Sequence, residues 1–202
     1  KTVVRPGATM TISSTNYKDL SRVIEVDGTA EYTGSNLRFG ATTTPGTIRI
    51  LSGGTFNAVG DGDFGTYNSG AHEIVNEGVF TRSGTGTSTV SSGIAFNNSG
   101  GTVEVLEGAL QVSGGGTSTG ITRIAAGALL NFPAGYVHET GSAVLGEGTL
   151  SFTGGTQRVA GQLDSTGPII LGTIVNIDGD QDLLGSATLT GTLGGTGTVG
   201  IA

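Results

Sequence analysis

The chain has no cysteine and no tryptophan, two histidines, four prolines, and charged residues at only 12% of its positions. Without cysteine, disulfides, thiolate metal sites and thiol catalysis are all excluded. Lys1 and Lys18 are the only lysines, and 16 acids outweigh 9 lysines and arginines to give a net charge of −7. Nucleic-acid affinity rests on clustered Lys and Arg that displace counterions from phosphates, so no nucleic-acid partner is expected. No apolar run approaches the roughly 20 residues of a membrane-spanning helix, and no membrane insertion is expected of this segment. No basic and apolar leader opens the chain, which fits a processed protein or an excised piece of a longer one.

What fills the space is glycine, at 39 of 202 residues, together with 31 threonines and 17 serines. Such a composition alone would suggest disorder. However, 35% of the residues are apolar, and they recur in short alternating strings that low-complexity linkers lack. A period of two places alternate residues on one face of a strand, so the chain reads as folded and all-β.

The strings repeat. A glycine followed by a short alternating run occurs at Gly7 (Met10, Ile12), Gly28 (Ala30, Tyr32), Gly54 (Phe56, Ala58), Gly78 (Phe80), Gly108 (Leu110, Val112), Gly127 (Leu130, Phe132), Gly148 (Leu150, Phe152) and Gly172 (Val175, Ile177). The intervals run from 19 to 30 residues, with a mean of about 24. Each phrase is preceded by a second apolar run such as Ile48 and Ile50 or Val103 and Val105, and followed by a polar loop such as Thr42-Thr43-Thr44-Pro45-Gly46. Glycine serves where a turn needs φ > 0, so each unit reads as strand, bend, strand and variable loop.

One such unit cannot bury its apolar face alone, but stacking each on the next pairs every strand with its equivalents above and below. The expected fold is a single β-solenoid over residues 1–202, with eight or nine coils. Leu110, Leu130, Leu150 and Val175 should form one interior column, and Val112, Phe132, Phe152 and Ile177 a second. An antiparallel sandwich also uses short strands and glycine turns, but its strands have no reason to resemble one another at one phase. Neither end carries a recognisable cap, which suits a piece of a longer rod or a subunit that stacks end to end.

The run Asn98-Ser99-Gly100-Gly101-Thr102-Val103-Glu104-Val105-Leu106-Glu107-Gly108-Ala109-Leu110, with Ala125-Ala126-Gly127-Ala128-Leu129-Leu130 and Gly146-Glu147-Gly148-Thr149-Leu150, resembles the right-handed parallel β-helix repeats of large bacterial surface proteins. The similarity is to autotransporter passenger domains and filamentous-haemagglutinin-like adhesins, and it is strongest over residues 94 to 200. The resemblance implies a right-handed helix, export, and an extracellular or cell-surface role as a structural or adhesive module. Its partners would be further copies stacked end to end, or surface glycans and proteins.

Candidate chemistry is sparse. His72 and His138 stand beside turns and read as solvated, without the Ser and acid partners of a nucleophilic triad. The parallel β-helix also hosts polysaccharide lyases and hydrolases, which makes a carbohydrate-active protein the alternative. Paired aspartates of the kind that act as acid and base are absent from the sequence, and no enzyme is expected. Asp178, Asp180 and Asp182 form the densest acid cluster and are a candidate for Ca²⁺, which takes six to eight oxygens; no other cofactor is expected. Asp61 and Asp63 are a weaker pair. Gly195-Thr196-Gly197-Thr198-Val199-Gly200 matches a dinucleotide fingerprint literally, but only two residues follow, too few for the helix that would hold phosphates. Thr-x-Thr pairs such as Thr9-Met10-Thr11 and Thr87-Ser88-Thr89 raise ice binding as a third possibility. Tyr17, Tyr32, Tyr67 and Tyr136 are candidates for a face that stacks carbohydrate or binds protein.

Overall fold

The computed structural model describes residues 1–201, which fold as 29 short strands with no helix among the described residues. All strand pairs are parallel and join residues one coil apart, so the chain is a β-solenoid. Each coil has three strands rather than the two that the sequence pattern suggests. The first face, from Thr2–Val4 to Thr192–Gly194, carries ten strands; the second, from Thr9–Ile12 to Gln162–Ser165, carries eight; and the third, from Lys18–Leu20 to Ala187–Leu189, carries nine. Gln181–Leu183 and Val199–Ile201 pair with each other and continue the second face beyond a break in its ladder. Ten coils at a strand spacing of about 4.8 Å make a rod about 45 Å long.

Alternation settles which side chains face inward. Val23–Val26, Thr29–Tyr32, Thr55–Ala58 and Ala109–Val112 each bury their second and fourth residues and leave the first and third partly exposed. All seven phenylalanines are buried, at 3% exposure or less. Phe56 and Phe80 stack with centroids 5.7 Å apart in successive coils of the second face, and Phe132 and Phe152 do the same at 5.7 Å in the third. Full burial of one such ring is worth roughly 3 kcal/mol, and stacking equivalent positions repeats that gain along the axis.

The expected interior columns hold in part. Leu110, Leu130 and Leu150 stack in register, but the next member is Ile169, and Leu171 follows Phe152. Val175 and Ile177 lie on the first face, in register with Gln157 and Val159. The cause lies in the corner glycines. At the corner between the first and second faces, Gly28, Gly54, Gly78, Gly101, Gly120 and Gly161 immediately precede the strands. A Cβ on Gly54 would sit 2.0 Å from the Val26 carbonyl oxygen, and one on Gly78 would sit 2.2 Å and 2.3 Å from those of Leu51 and Gly54. Gly108, Gly148, Gly167 and Gly185 meet the same close approach at the next corner, where a Cβ on Gly185 would lie 2.0 Å from the Gly167 oxygen. Two corners therefore share one sequence signature. The apparent period of about 24 jumps from the first of these corners to the second between Gly78 and Gly108, and jumps again between Gly148 and Gly172, which lies at the corner before the first-face strand Ile174–Ile177. The column Val4, Val26, Ile50, Asn76, Asn98, Ser118, His138, Val159, Ile177 steps instead by 18 to 26 residues. Most of these corner glycines are needed because the backbone of the coil below leaves no room for a side chain. Positive φ is required at only some of the repeat glycines, such as Gly7 (78°) and Gly127 (81°).

Candidate functional site

Both histidines, expected on the surface, are buried, His72 at 3% and His138 at 2% exposure. The strand period accounts for it. His72, Ile74 and Asn76 alternate inward along His72–Asn76, as Tyr136 and His138 do along Tyr136–His138. His72 is tied down, with Nδ1 accepting from the Gly46 amide at 3.1 Å and Nε2 lying 3.2 Å from the Asn68 carbonyl. His138 is not: neither ring nitrogen has a hydrogen-bond partner. The ring is enclosed by Phe132, Tyr136 and Phe152 at 5.4, 5.1 and 5.9 Å, and burial pushes its pKa down to about 4. Ser118 stands next to it in register, but neither ring nitrogen bonds that hydroxyl or a carboxylate, so the ring lacks the base–nucleophile and base–acid contacts that a triad requires.

Below His138 in the same column runs a buried amide ladder that the sequence pattern concealed. Asn76 Nδ2 donates to Asn98 Oδ1 at 2.8 Å and to the Thr102 carbonyl at 2.9 Å, and Asn98 Nδ2 donates to Ser118 Oγ at 3.3 Å. Asparagine recurring 22 residues apart at the inward end of a strand was the available signal. Glutamines patch the backbone in the same way. Gln157 accepts from the Tyr136 amide and donates to the Ala134 and Gly154 carbonyls, while Gln181 accepts from the Leu163 amide at 2.9 Å across the break in the second face. Arg82 occupies an interior position in register with Ala58 and Val105, and its Nη2 reaches Asp61 at 2.6 Å and the Gly86 carbonyl at 2.9 Å. The hydrogen bond from Arg82, helped by the Gly86 amide, holds the Asp61 carboxyl below its usual range.

The candidate calcium residues are separated. Asp178 Oδ2 takes Arg158 Nε at 2.7 Å, and Asp180 Oδ1 accepts the Thr198 amide at 2.8 Å. Asp180 and Asp182 line an open trough of about 560 Å³ with Asp164, Gln162 and Gln181, beside the break in the second face. Among the described residues, no three acid or histidine side chains are grouped to hold a metal ion, so this donor set does not fit a Ca²⁺ cage. The Thr-x-Thr pairs also fail to form an array: in register with Thr9 and Thr11 stand Thr29 and Glu31, then Thr55 and Asn57.

The tyrosines divide. Tyr32 and Tyr136 are core residues, and the Tyr136 hydroxyl donates to the Thr117 carbonyl at 3.0 Å. Tyr17 and Tyr67, 59% and 61% exposed, are brought together on the outside of the third face although 50 residues separate them. Asp19, Arg38 and Gly65 stand in one outward row. Tyr17 lies two residues before Asp19 in the lower coil and Tyr67 two residues after Gly65 in the upper, so the rings occupy opposite corners around Arg38. The Arg38 Cζ is 4.5 Å from the Tyr17 ring centroid and 4.9 Å from that of Tyr67, within cation–π range. Asp19 fixes the guanidinium through Nε at 2.9 Å and Nη2 at 3.2 Å. Beside Tyr17, Thr15, Asn16, Ser35 and Asn36 line a depression of about 220 Å³. No helix among the described residues is long and apolar enough to cross a membrane. Comparison with known proteins finds no family model, no curated protein and no solved structure that matches this chain.

Proposed function

We propose that this chain is a non-enzymatic structural and adhesive module, a stiff segment of an exported bacterial surface or extracellular protein whose work is extension and the display of loops. The observation that carries the reading is the use made of charge. Lys1 bonds Glu25, Asp19 bonds Arg38, Arg49 bonds Glu77, Asp61 bonds Arg82, and Arg158 bonds both Glu139 and Asp178. Each of these pairs joins one coil to the next, and Arg158 spans three. An active site needs titratable groups converging on a cleft with displaced pKa values, whereas here the ion pairs are spread along the axis as ties between coils.

The partners proposed are surface glycans and proteins met by the outer faces, and further copies met end to end. Opposite charge favours the latter wherever the end coils are uncovered. Lys1, Arg5, Lys18 and Arg22 outnumber Asp19 in the first 22 residues, whereas Asp164, Asp178, Asp180 and Asp182 lie beyond Arg158, after which the sequence has no lysine or arginine. Head-to-tail contact of this kind builds filaments. To test the absence of catalysis, the purified chain is incubated with polyuronides and neutral glycans while new reducing ends and unsaturated products are measured. The expected result is no turnover; product release that disappears when a carboxylate is removed would establish the carbohydrate-active alternative instead.

A further inference from the structure

We propose that the outer platform formed by Tyr17, Arg38 and Tyr67 is a binding site for a neutral glycan, one sugar ring stacking on each tyrosine. Aromatic side chains in this protein are otherwise interior: every phenylalanine is buried, as are Tyr32 and Tyr136. Two tyrosines more than half exposed, placed on either side of Arg38 by coils one and three, are an exception that core packing does not require. Between them the guanidinium of Arg38 lies against both rings and is itself held by Asp19, so the rings are propped before any ligand arrives, which lowers the ordering cost of binding. Gly65, next above Arg38 in register, carries no side chain to cover the guanidinium.

The chemistry suits a pyranose. The C–H face of a sugar ring packs on an aromatic face, while its hydroxyls need donors and acceptors at the edge. Arg38 commits Nε and Nη2 to Asp19 and leaves Nη1 to donate, and Thr15, Asn16, Ser35 and Asn36 line the adjoining depression. At about 220 Å³, that depression lies below the roughly 300–1,000 Å³ of pockets that engulf a drug-sized ligand, so it takes a single ring of a chain running along the surface. Charge selects a neutral glycan over a polyuronide. The positive charge of Arg38 is matched by Asp19, Asp63 stands beside Asn36 with its amide donating to Asn36 Oδ1 at 3.1 Å, and the whole chain carries −7.

The inference does not rest on the scaffold reading, since a glycan could bind here whether or not the protein cleaves it. The test is affinity electrophoresis of the full chain in gels containing a soluble β-glucan, a mannan, a xylan or polygalacturonate. Retardation by at least one neutral polysaccharide is expected, with apparent affinity falling tenfold or more in Tyr17→Ala and in Tyr67→Ala, and largely retained in Tyr67→Phe, which keeps the ring. Both tyrosines are exposed, and unchanged circular dichroism and melting temperature confirm that the variants fold. The proposal is overturned if no neutral polysaccharide retards the protein, if both alanine variants are retarded as strongly as the parent, or if polygalacturonate alone retards it.

Discussion

Lowering the pH should destabilise the rod through His138. Its folded pKa is depressed to about 4 by burial, against about 6.5 in an unfolded chain. Below about pH 6.5 the unfolded chain takes up a proton that the folded chain refuses until about pH 4, so stability is lost as pH falls through that window and levels off below it. The gap between about 6.5 and about 4, at about 1.4 kcal/mol for each factor of ten in proton affinity, amounts to about 3.5 kcal/mol. That is a large share of the 5–15 kcal/mol that holds a typical domain. The control is His138→Leu. Because neither ring nitrogen is hydrogen-bonded, an apolar side chain loses no partner among Phe132, Tyr136 and Phe152, and neutral-pH stability should be retained or raised. Urea denaturation of parent and variant at steps from about pH 7 to about pH 4 isolates the effect as the difference between the two curves, since carboxylates titrate in both. Stacked coils unfold as coupled neighbours, so amide exchange at Val137 to Glu139 supplies a local readout. Parallel curves for parent and variant over the window would refute the reasoning.

Gly78→Ala places a methyl group 2.2–2.3 Å from two carbonyl oxygens of the coil below. It should cost about 3 kcal/mol or more in chemical denaturation, whereas Gly100→Ala, with nothing within 4 Å, pays only for its φ of 80°, about 1 kcal/mol. Arg82 is fully buried with two of its nitrogens unpartnered, so Arg82→Met should hold or raise the melting temperature while Asp61→Ala, which leaves the buried charge without its carboxylate, lowers it. Asn98→Leu breaks the amide ladder on both sides, stranding donors and acceptors from Asn76 to Ile121. A loss of about 2–3 kcal/mol is expected, with faster amide exchange in the coils on either side.

The solenoid was legible because stacking repeats one physical demand at every coil. Alternation in Thr102–Val105 or Thr149–Phe152 marks a half-buried strand, and recurrence of the pattern marks a stack. The third strand of each coil was hidden by its brevity, since segments such as Gly116–Ser118 and Phe64–Thr66 span too few residues to show a period. Phase is lost between Gly78 and Gly108 and again between Gly148 and Gly172, because glycine stands at more than one corner of the coil and marks each in the same way. Polarity puts the histidines on the surface and parity puts them inside: His72 and His138 share the parity of the buried Ile74 and Tyr136, and parity decides. Tyr17 and Tyr67 could not be paired from sequence at all, because their meeting depends on the register of three coils whose loops differ in length.

Pulling a single chain from its two ends tests most directly that the rod is a load-bearing stack of coupled coils. Each coil contributes 18 to 26 residues, which at about 3.4 Å per residue release about 60–90 Å of contour length. The account predicts a series of force peaks separated by increments of that size, as coils peel from the stack one after another. Extension without force peaks, or a single rupture that frees the whole contour at once, would contradict it.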